Sequence, residues 1–200
     1  RNQLNAANIA TVDRVIITHD HADHLHGIDD LRQVAHNRAD QVPVHVRPEL
    51  LERLHDRFSY LFRGNSLYPA VLTAHAITSG WTLEAASVRF VDQPHGRITS
   101  LGIRFDQHGR SLSYAIDFSS LTEEMAALYQ GTNVWVADCL RRRPHPTHAH
   151  LDAVLGWARE LQVGQLLLTH LDNSMDHAQL SAELPDWAAP AYDGMEVELT

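Results

Sequence analysis

The sequence contains no lysine: all 16 of its basic residues are arginine, set against 25 acidic residues for a formal net charge of −9. So acidic a chain is poorly matched to the sequence-independent phosphate attraction behind most nucleic-acid binding, though a few arginines suffice to hold a small anionic substrate. Cysteine is nearly absent too. The single one, Cys139, excludes an intrachain disulfide framework and a cysteine-rich zinc site. No apolar run approaches the length of a membrane span and no signal peptide is visible, so no membrane partner and a cytoplasmic location are expected. Two hundred residues fit one domain with a real core, so no metal is needed merely as a staple. The chain opens RNQLNAANIA, without an initiator Met and like the end of a helix, so further residues are expected before it.

Histidine, in contrast, is abundant. There are fifteen, and the segment THDHADHLHG at 18–27 packs four of them beside two aspartates. Packing has no use for so many polar, metal-competent side chains in one place. The segment follows the β-branched run VDRVIIT, so it sits where a strand stops.

Alternating strands and helices run along the rest of the chain, with no internal repeat and no low-complexity linker. Strands are expected at 12–18 and 42–46, and helices at 27–36 and 47–62, the second with Pro48 near its start. A strand-rich block spans 71–116. Then come a helix at 121–129, a strand at 133–138, a helix at 151–162 and a strand at 165–169. This pattern predicts an α/β fold of layered sheets flanked by helices.

Four further ligand-type residues fall at or just after the ends of these strands: His95, Asp117, Asp138 and His170. Side chains at strand ends converge on the rim of a sheet, a usual place for a site in α/β folds. With His19, His21, Asp23 and His24 of the opening cluster, the metal-ligand candidates His95, Asp117 and His170 make seven. One zinc takes about three or four protein ligands, so seven suit two ions sharing a carboxylate. The mixed nitrogen and oxygen donors suit Zn²⁺, with Mn²⁺ or Fe as alternatives. His26, His36, His45, His55, His75, His108 and His177 are read as ordinary surface or capping residues.

The run THDHADH resembles the H-x-H-x-D-H motif of the metallo-β-lactamase superfamily, and the spaced His95, Asp117 and His170 match its later motifs. Within that superfamily the stretches VADCLRRRPHPTHAHLDAVL and LLLTHLDNSMDH resemble the cyclic phosphodiesterases related to the phosphoribosyl cyclic phosphate phosphodiesterase of phosphonate breakdown. The resemblance implies a single metallo-β-lactamase-like domain over residues 1–200, an αβ/βα sandwich whose first strands are missing. It implies a dinuclear site in which His19, His21 and His95 hold one ion and Asp23, His24 and His170 the other. Asp117 would bridge them with a water or hydroxide, and Asp138 would accept the second N–H of a ligand histidine. Some relatives carry a second, structural zinc held by N-terminal cysteines and a histidine three positions after the last ligand. Here that position is Asn173, so no such site is expected within these residues.

The expected reaction is hydrolysis of a small or cyclic phosphodiester. His148, in PTHAHLD, matches the relatives' candidate general acid, with His150 as the competing choice. Arg141, Arg142 and Arg143 lie where an arginine can grip a phosphate, although a solvated charge run reads equally well. The alternatives are a tRNA 3′-processing-type endonuclease, disfavoured by the acidic charge, a lactonase or thioester hydrolase, and a metal-binding module without turnover. The implied partners are two divalent metal ions and a small phosphodiester, with neither nucleic acid nor membrane and with a homodimer left open.

Overall fold

A computed structural model describes residues 1–199. They form two compact units, residues 1–78 and 79–199, each with its own sheet. Among the described residues no helix is long and apolar enough to cross a membrane.

The first unit contains α1 (Asn2–Ala6), β1 (Val15–Ile16), α2 (Ala22–Leu25), a 3₁₀ turn (His26–Asp30), α3 (Leu31–Arg38), β2 (Val42–Val46), α4 (Pro48–Arg57), α5 (Ser59–Phe62) and β3 (Leu72–Ala76). The strands pair in parallel in the order β1-β2-β3. β2 is β-branched at every second position, and that period of two buries Val42, Val44 and Val46 on one face. They pack with Ile17, Leu25, Ile28, Val34, Leu54 and Leu61.

Two expected elements are shorter than their patterns suggest. The strand expected at 12–18 pairs only at Val15–Ile16, because carbonyls before it are taken by α3. Asn37 Nδ2 donates to Ala10 O and Arg38 Nη1 to Val12 O. The helix expected at 47–62 breaks at Phe58 (φ −127°, ψ 34°). The break turns α5 back so that Leu61 is buried and its carbonyl accepts from Val71 N as the chain enters β3. The 27–36 helix likewise begins as a 3₁₀ turn.

The second unit contains β4 (Trp81–Leu83), β5 (Ala86–His95), β6 (Ile98–Gln107), β7 (Arg110–Ala115), α6 (Glu123–Tyr129), β8 (Val134–Asp138), α7 (Leu151–Glu160), β9 (Gln165–Thr169), α8 (His177–Glu183) and β10 (Ala188–Pro190). Its sheet order is β10-β9-β8-β7-β6-β5-β4. Pairing is antiparallel from β4 to β7 and parallel from β7 to β10. Consequently β5, β7, β8 and β9 all run the same way and end at the same rim. Helices α6, α7 and α8 cross between the parallel strands, and α6 is capped by Thr122 Oγ1, which accepts from Met125 N at 3.2 Å. The core joins Phe118, Met125, Tyr129, Trp135, Val154, Leu166 and Leu168. Strand β10 and helix α8 are too short or too weakly patterned to have been expected from sequence, and β4 falls within the expected strand-rich block without a run of its own.

On the first unit's sheet His45 stacks on its cross-strand partner His75, centroids 5.1 Å apart. Burial first, then the neighbouring His75 and Arg14, push the His45 pKa down from 6.5 to about 4. The unfolded chain therefore takes up this proton near pH 6.5 and the folded chain only near pH 4. The associated stability is complete above pH 6.5 and is lost as pH falls towards 4. Thermal melts of His45→Gln should show a smaller fall in Tm between pH 7 and pH 5 than the parent does. An identical fall in both would refute this assignment.

Candidate metal centre

In the first unit, Ile17 N still donates to His45 O, and the chain then leaves the sheet into the histidine segment. His19 is buried, and its Nδ1 lies 3.1 Å from Thr18 Oγ1. The His21 ring lies 4.7 Å from it and the His24 ring 4.4 Å, centroid to centroid. His21 is the extended residue before α2, whose first turn carries Asp23 and His24, so the spacing of the motif places all four side chains around one turn. Asp23 Oδ2 and His24 Nε2 are 3.3 Å apart.

Asp20, between the first two histidines, serves α4 instead. Arg53 Nη2 sits 2.6 Å from its carboxylate and Arg57 Nη1 3.6 Å, and the Arg57 guanidinium also donates to the Asp20 carbonyl at 3.0 Å. Helix α4 thereby clamps the loop that carries the histidines.

In the second unit the shared strand polarity does the gathering. His95 ends β5, Asp138 ends β8, and Asp117 and His170 follow β7 and β9. Asp117 and His170 adopt left-handed backbone angles, φ 53° and 59°. Such conformations cost about 1–3 kcal/mol outside glycine and persist where surrounding structure imposes them, typically at functional sites. Asp117 Oδ2 lies 3.2 Å from His95 Nε2, and its Oδ1 lies 3.3 Å from His170 Nε2. His95 Nδ1 is 2.8 Å from Thr147 O, which can only accept, so the ring proton resides on Nδ1. The Nε2 lone pair then faces a carboxylate oxygen, acceptor towards acceptor, and only a cation, whether proton or metal ion, resolves that contact. One ligand atom from each of Asp117, His148 and His170 falls within 4.8 Å of the others. Imidazole nitrogens and a buried carboxylate are the donor set that divalent transition metals take, so His95, Asp117 and His170 fit such an ion.

His148 Nδ1 is 2.9 Å from Asp138 Oδ2, and its ring stacks on His170 at 5.0 Å and meets His95 at 4.8 Å. Asp138 is fully buried and also accepts from Phe118 N, while His170 Nδ1 is 3.7 Å away. Its shorter contact is to His148 and its longer one to the candidate ligand His170. His150 is instead the residue before α7. Arg141 folds onto the carbonyls of Arg143 and Pro144, and Arg142 pairs with Glu183 at 2.6 Å. Sequence reasoning passed over His145, whose ring lies 5.1 Å from that of His148. Burial first, then Arg141 and His148, lower its pKa. Its signal was the H-x-x-H-x-H spacing of 145–150. Several histidines read as ordinary have ordinary neighbours: His26 meets Arg57, His55 lies against Phe62 and His177 against Tyr192.

The Asp20 clamp makes a direct prediction. Replacing both Arg53 and Arg57 by Ala should lower metal-free stability by about 1 kcal/mol, the scale of a partly exposed ion-pair network. A denaturant midpoint for the double variant equal to the parent's would show that the clamp holds nothing.

Residues 1–171 match the family described as the Beta-lactamase superfamily domain. The chain is 29% identical to a protein whose crystal structure is described as a new diphosphatase from the PhnP family. That likeness covers 98% of this chain and 74% of the other, with a TM-score of 0.86. The metallo-β-lactamase fold protein YhfI from Bacillus subtilis is 20% identical, over 92% of this chain and 76% of that one, with a TM-score of 0.75. Among curated proteins, one named octanoyltransferase from Porphyromonas gingivalis (strain ATCC BAA-308 / W83) is 27% identical over 98% of this chain. The chain spans only 40% of that relative's length. With a family match over most of its length and the same fold in its structural relatives, this chain belongs to the Beta-lactamase superfamily domain family and has the metallo-β-lactamase fold.

Proposed function

We propose that the chain is a dinuclear metal-dependent phosphodiesterase acting on a small or cyclic phosphodiester. Its ligands are His19, His21, Asp23 and His24 of the motif and His95, Asp117 and His170 of the second unit. Zinc suits this donor set best. The observation that carries the reading is the His148–Asp138 pair, a buried carboxylate holding a histidine whose ring lies against the candidate ligands His95 and His170. Similarity at 29% identity to a PhnP-family diphosphatase supports phosphorus as the reacting centre.

Divalent ions held by these residues would supply positive charge for a phosphoryl oxygen and would lower the pKa of a water towards ~7. The chain's own residues do the rest. Asp117 presents one oxygen to each of two imidazoles, so its negative charge would offset that of cations held beside them. Asp138 fixes the His148 proton on Nδ1, which aims Nε2 away from the carboxylate and towards the leaving group. To protonate a departing alkoxide, His148 must carry a second proton on Nε2, and the Asp138 carboxylate compensates that charge. Arg143, whose neighbours Arg141 and Arg142 are engaged within the protein, is the arginine of the run left to meet a substrate phosphate.

Acyl transfer, the activity named for the longer curated relative, finds no nucleophile in the one thiol. Cys139 is buried, and burial, reinforced by Asp138, pushes its pKa up to about 12.

Two measurements test this reading. Elemental analysis of the purified protein should find about two transition-metal ions per chain, and Asp117→Asn should lose metal and turnover together. Metal-free protein with full hydrolytic activity would end the proposal. His148→Ala should keep its metal and lose about 10²–10⁴-fold in turnover of an alkyl phosphodiester, the usual worth of general acid catalysis. The loss should be much smaller for bis(p-nitrophenyl) phosphate, whose leaving group departs without a proton. Equal losses on both substrates would make His148 a phosphate-binding group instead.

A further inference from the structure

Next to Asp117 lies an almost wholly buried polar network that bonds the backbone of residues 116–117. Gln93 on β5 is 0% exposed and Ser100 on β6 is 1% exposed. The Gln93 amide donates from Nε2 to Ser100 Oγ at 2.9 Å and to Ile116 O at 2.8 Å, and its Oε1 accepts from Tyr129 OH at 2.6 Å. Ser100 Oγ in turn lies 2.8 Å from Ile116 O and 2.9 Å from Asp117 O, sharing its single proton between the two carbonyls. Burial pushes the Tyr129 phenol pKa well up, so it remains a donor.

Such a network is costly unless every member is partnered, and here the partners point one way. Ile116 O receives both Gln93 and Ser100, Asp117 O receives Ser100, Phe118 N donates to Asp138, and Ser119 N donates to Pro94 O at 2.9 Å. Residues 116–119 are thus held from β5, β6 and β8 at once, around the residue whose φ is 53°. Space is reserved for the network as well: a Cβ on Gly102 would collide with Tyr129 OH and Gln93 Oε1. A core with no duty would fill this volume with apolar side chains, since an apolar isostere avoids the desolvation cost of so many buried polar atoms.

We propose that Gln93, with Ser100 and Tyr129, is a positioning residue for the metal centre. It locks the left-handed turn at Asp117 so that one carboxylate presents Oδ2 beside His95 and Oδ1 beside His170. The inference rests on the metal-dependent reading above. None of the three side chains touches substrate or metal; they act through the backbone of 116–117. The left-handed turn would otherwise relax to a commoner conformation, carrying the carboxylate off one of its two neighbours.

The test uses the full chain loaded with Zn²⁺ or Co²⁺ as probe. Gln93→Leu and Ser100→Ala should each weaken apparent Zn²⁺ affinity, measured by competition with a chromophoric chelator, by about 10–100-fold, the range seen when partners of metal ligands are removed. The visible spectrum of the Co²⁺-loaded variants should change, and kcat should fall more than KM rises. If Gln93→Leu does not fold, Ser100→Ala, which removes a single hydroxyl, decides with the same readouts. Folded variants with parental Zn²⁺ affinity and an unchanged Co²⁺ spectrum, merely melting at lower temperature, would show the network to be structural only. Wild-type protein that binds neither ion would overturn the metal reading and this inference with it.

Discussion

A carboxylate buried to 1% exposure stands between two imidazole nitrogens, and the second unit is organised around that contact. Burying an ionised carboxylate is costly without compensating charge or hydrogen bonds. Asp117 faces His95 and His170 with one oxygen each, and the lone pair of His95 Nε2 does not offset that cost. The arrangement makes sense only when a cation completes it, because His95 has committed its ring proton to Thr147 O.

Sheet polarity makes the contact available. Three antiparallel pairings followed by three parallel ones leave β5, β7, β8 and β9 ending side by side. His95, Asp117, Asp138 and His170 then share one rim although they are spread over 76 positions of sequence. Left-handed turns at Asp117 and His170 aim the side chains, and the crossover helices bury the apolar side of the same strands. The strain is held by neighbours rather than by the residues themselves: β5 and β6 hold the 116–117 carbonyls, and Asp138 holds Phe118 N. Asp138 thereby has two tasks, fastening the turn beyond Asp117 and orienting His148.

The first unit solves its own problem with local means. Its motif needs only a strand that stops and a helix that starts. β1 is two residues long because α3 takes the carbonyls before it, and α2 begins directly after His21. A loop so short of backbone pairing is steadied by side chains, and the Arg53–Asp20–Arg57 contacts do this from α4. Two of the sixteen arginines are thus spent on an aspartate that a motif reading leaves without a task.

Sequence by itself determined a good deal. Four histidines and two aspartates in ten residues are a local pattern, and their spacing around one turn needs no distant partner to be recognised. Period-two burial in β2, the long runs of β5 and β6 and the short apolar runs of β8 and β9 were equally legible, because strand and helix periodicity are properties of neighbouring residues. Tertiary structure decided the rest. Which histidine of 145–150 faces the rim depends on the reach of Asp138, and the answer, His148 with the His145 ring beside it and His150 at a helix start, involves contacts that no spacing encodes. The break of the 47–62 helix at Phe58 was set by where Leu61 had to be buried, and the fate of Arg141 and Arg142 by carbonyls and a glutamate nearby. Gln93, Ser100 and Tyr129 look unremarkable in sequence because their hydrogen bonds join three elements. Only the folded chain brings those elements within 3 Å of one another.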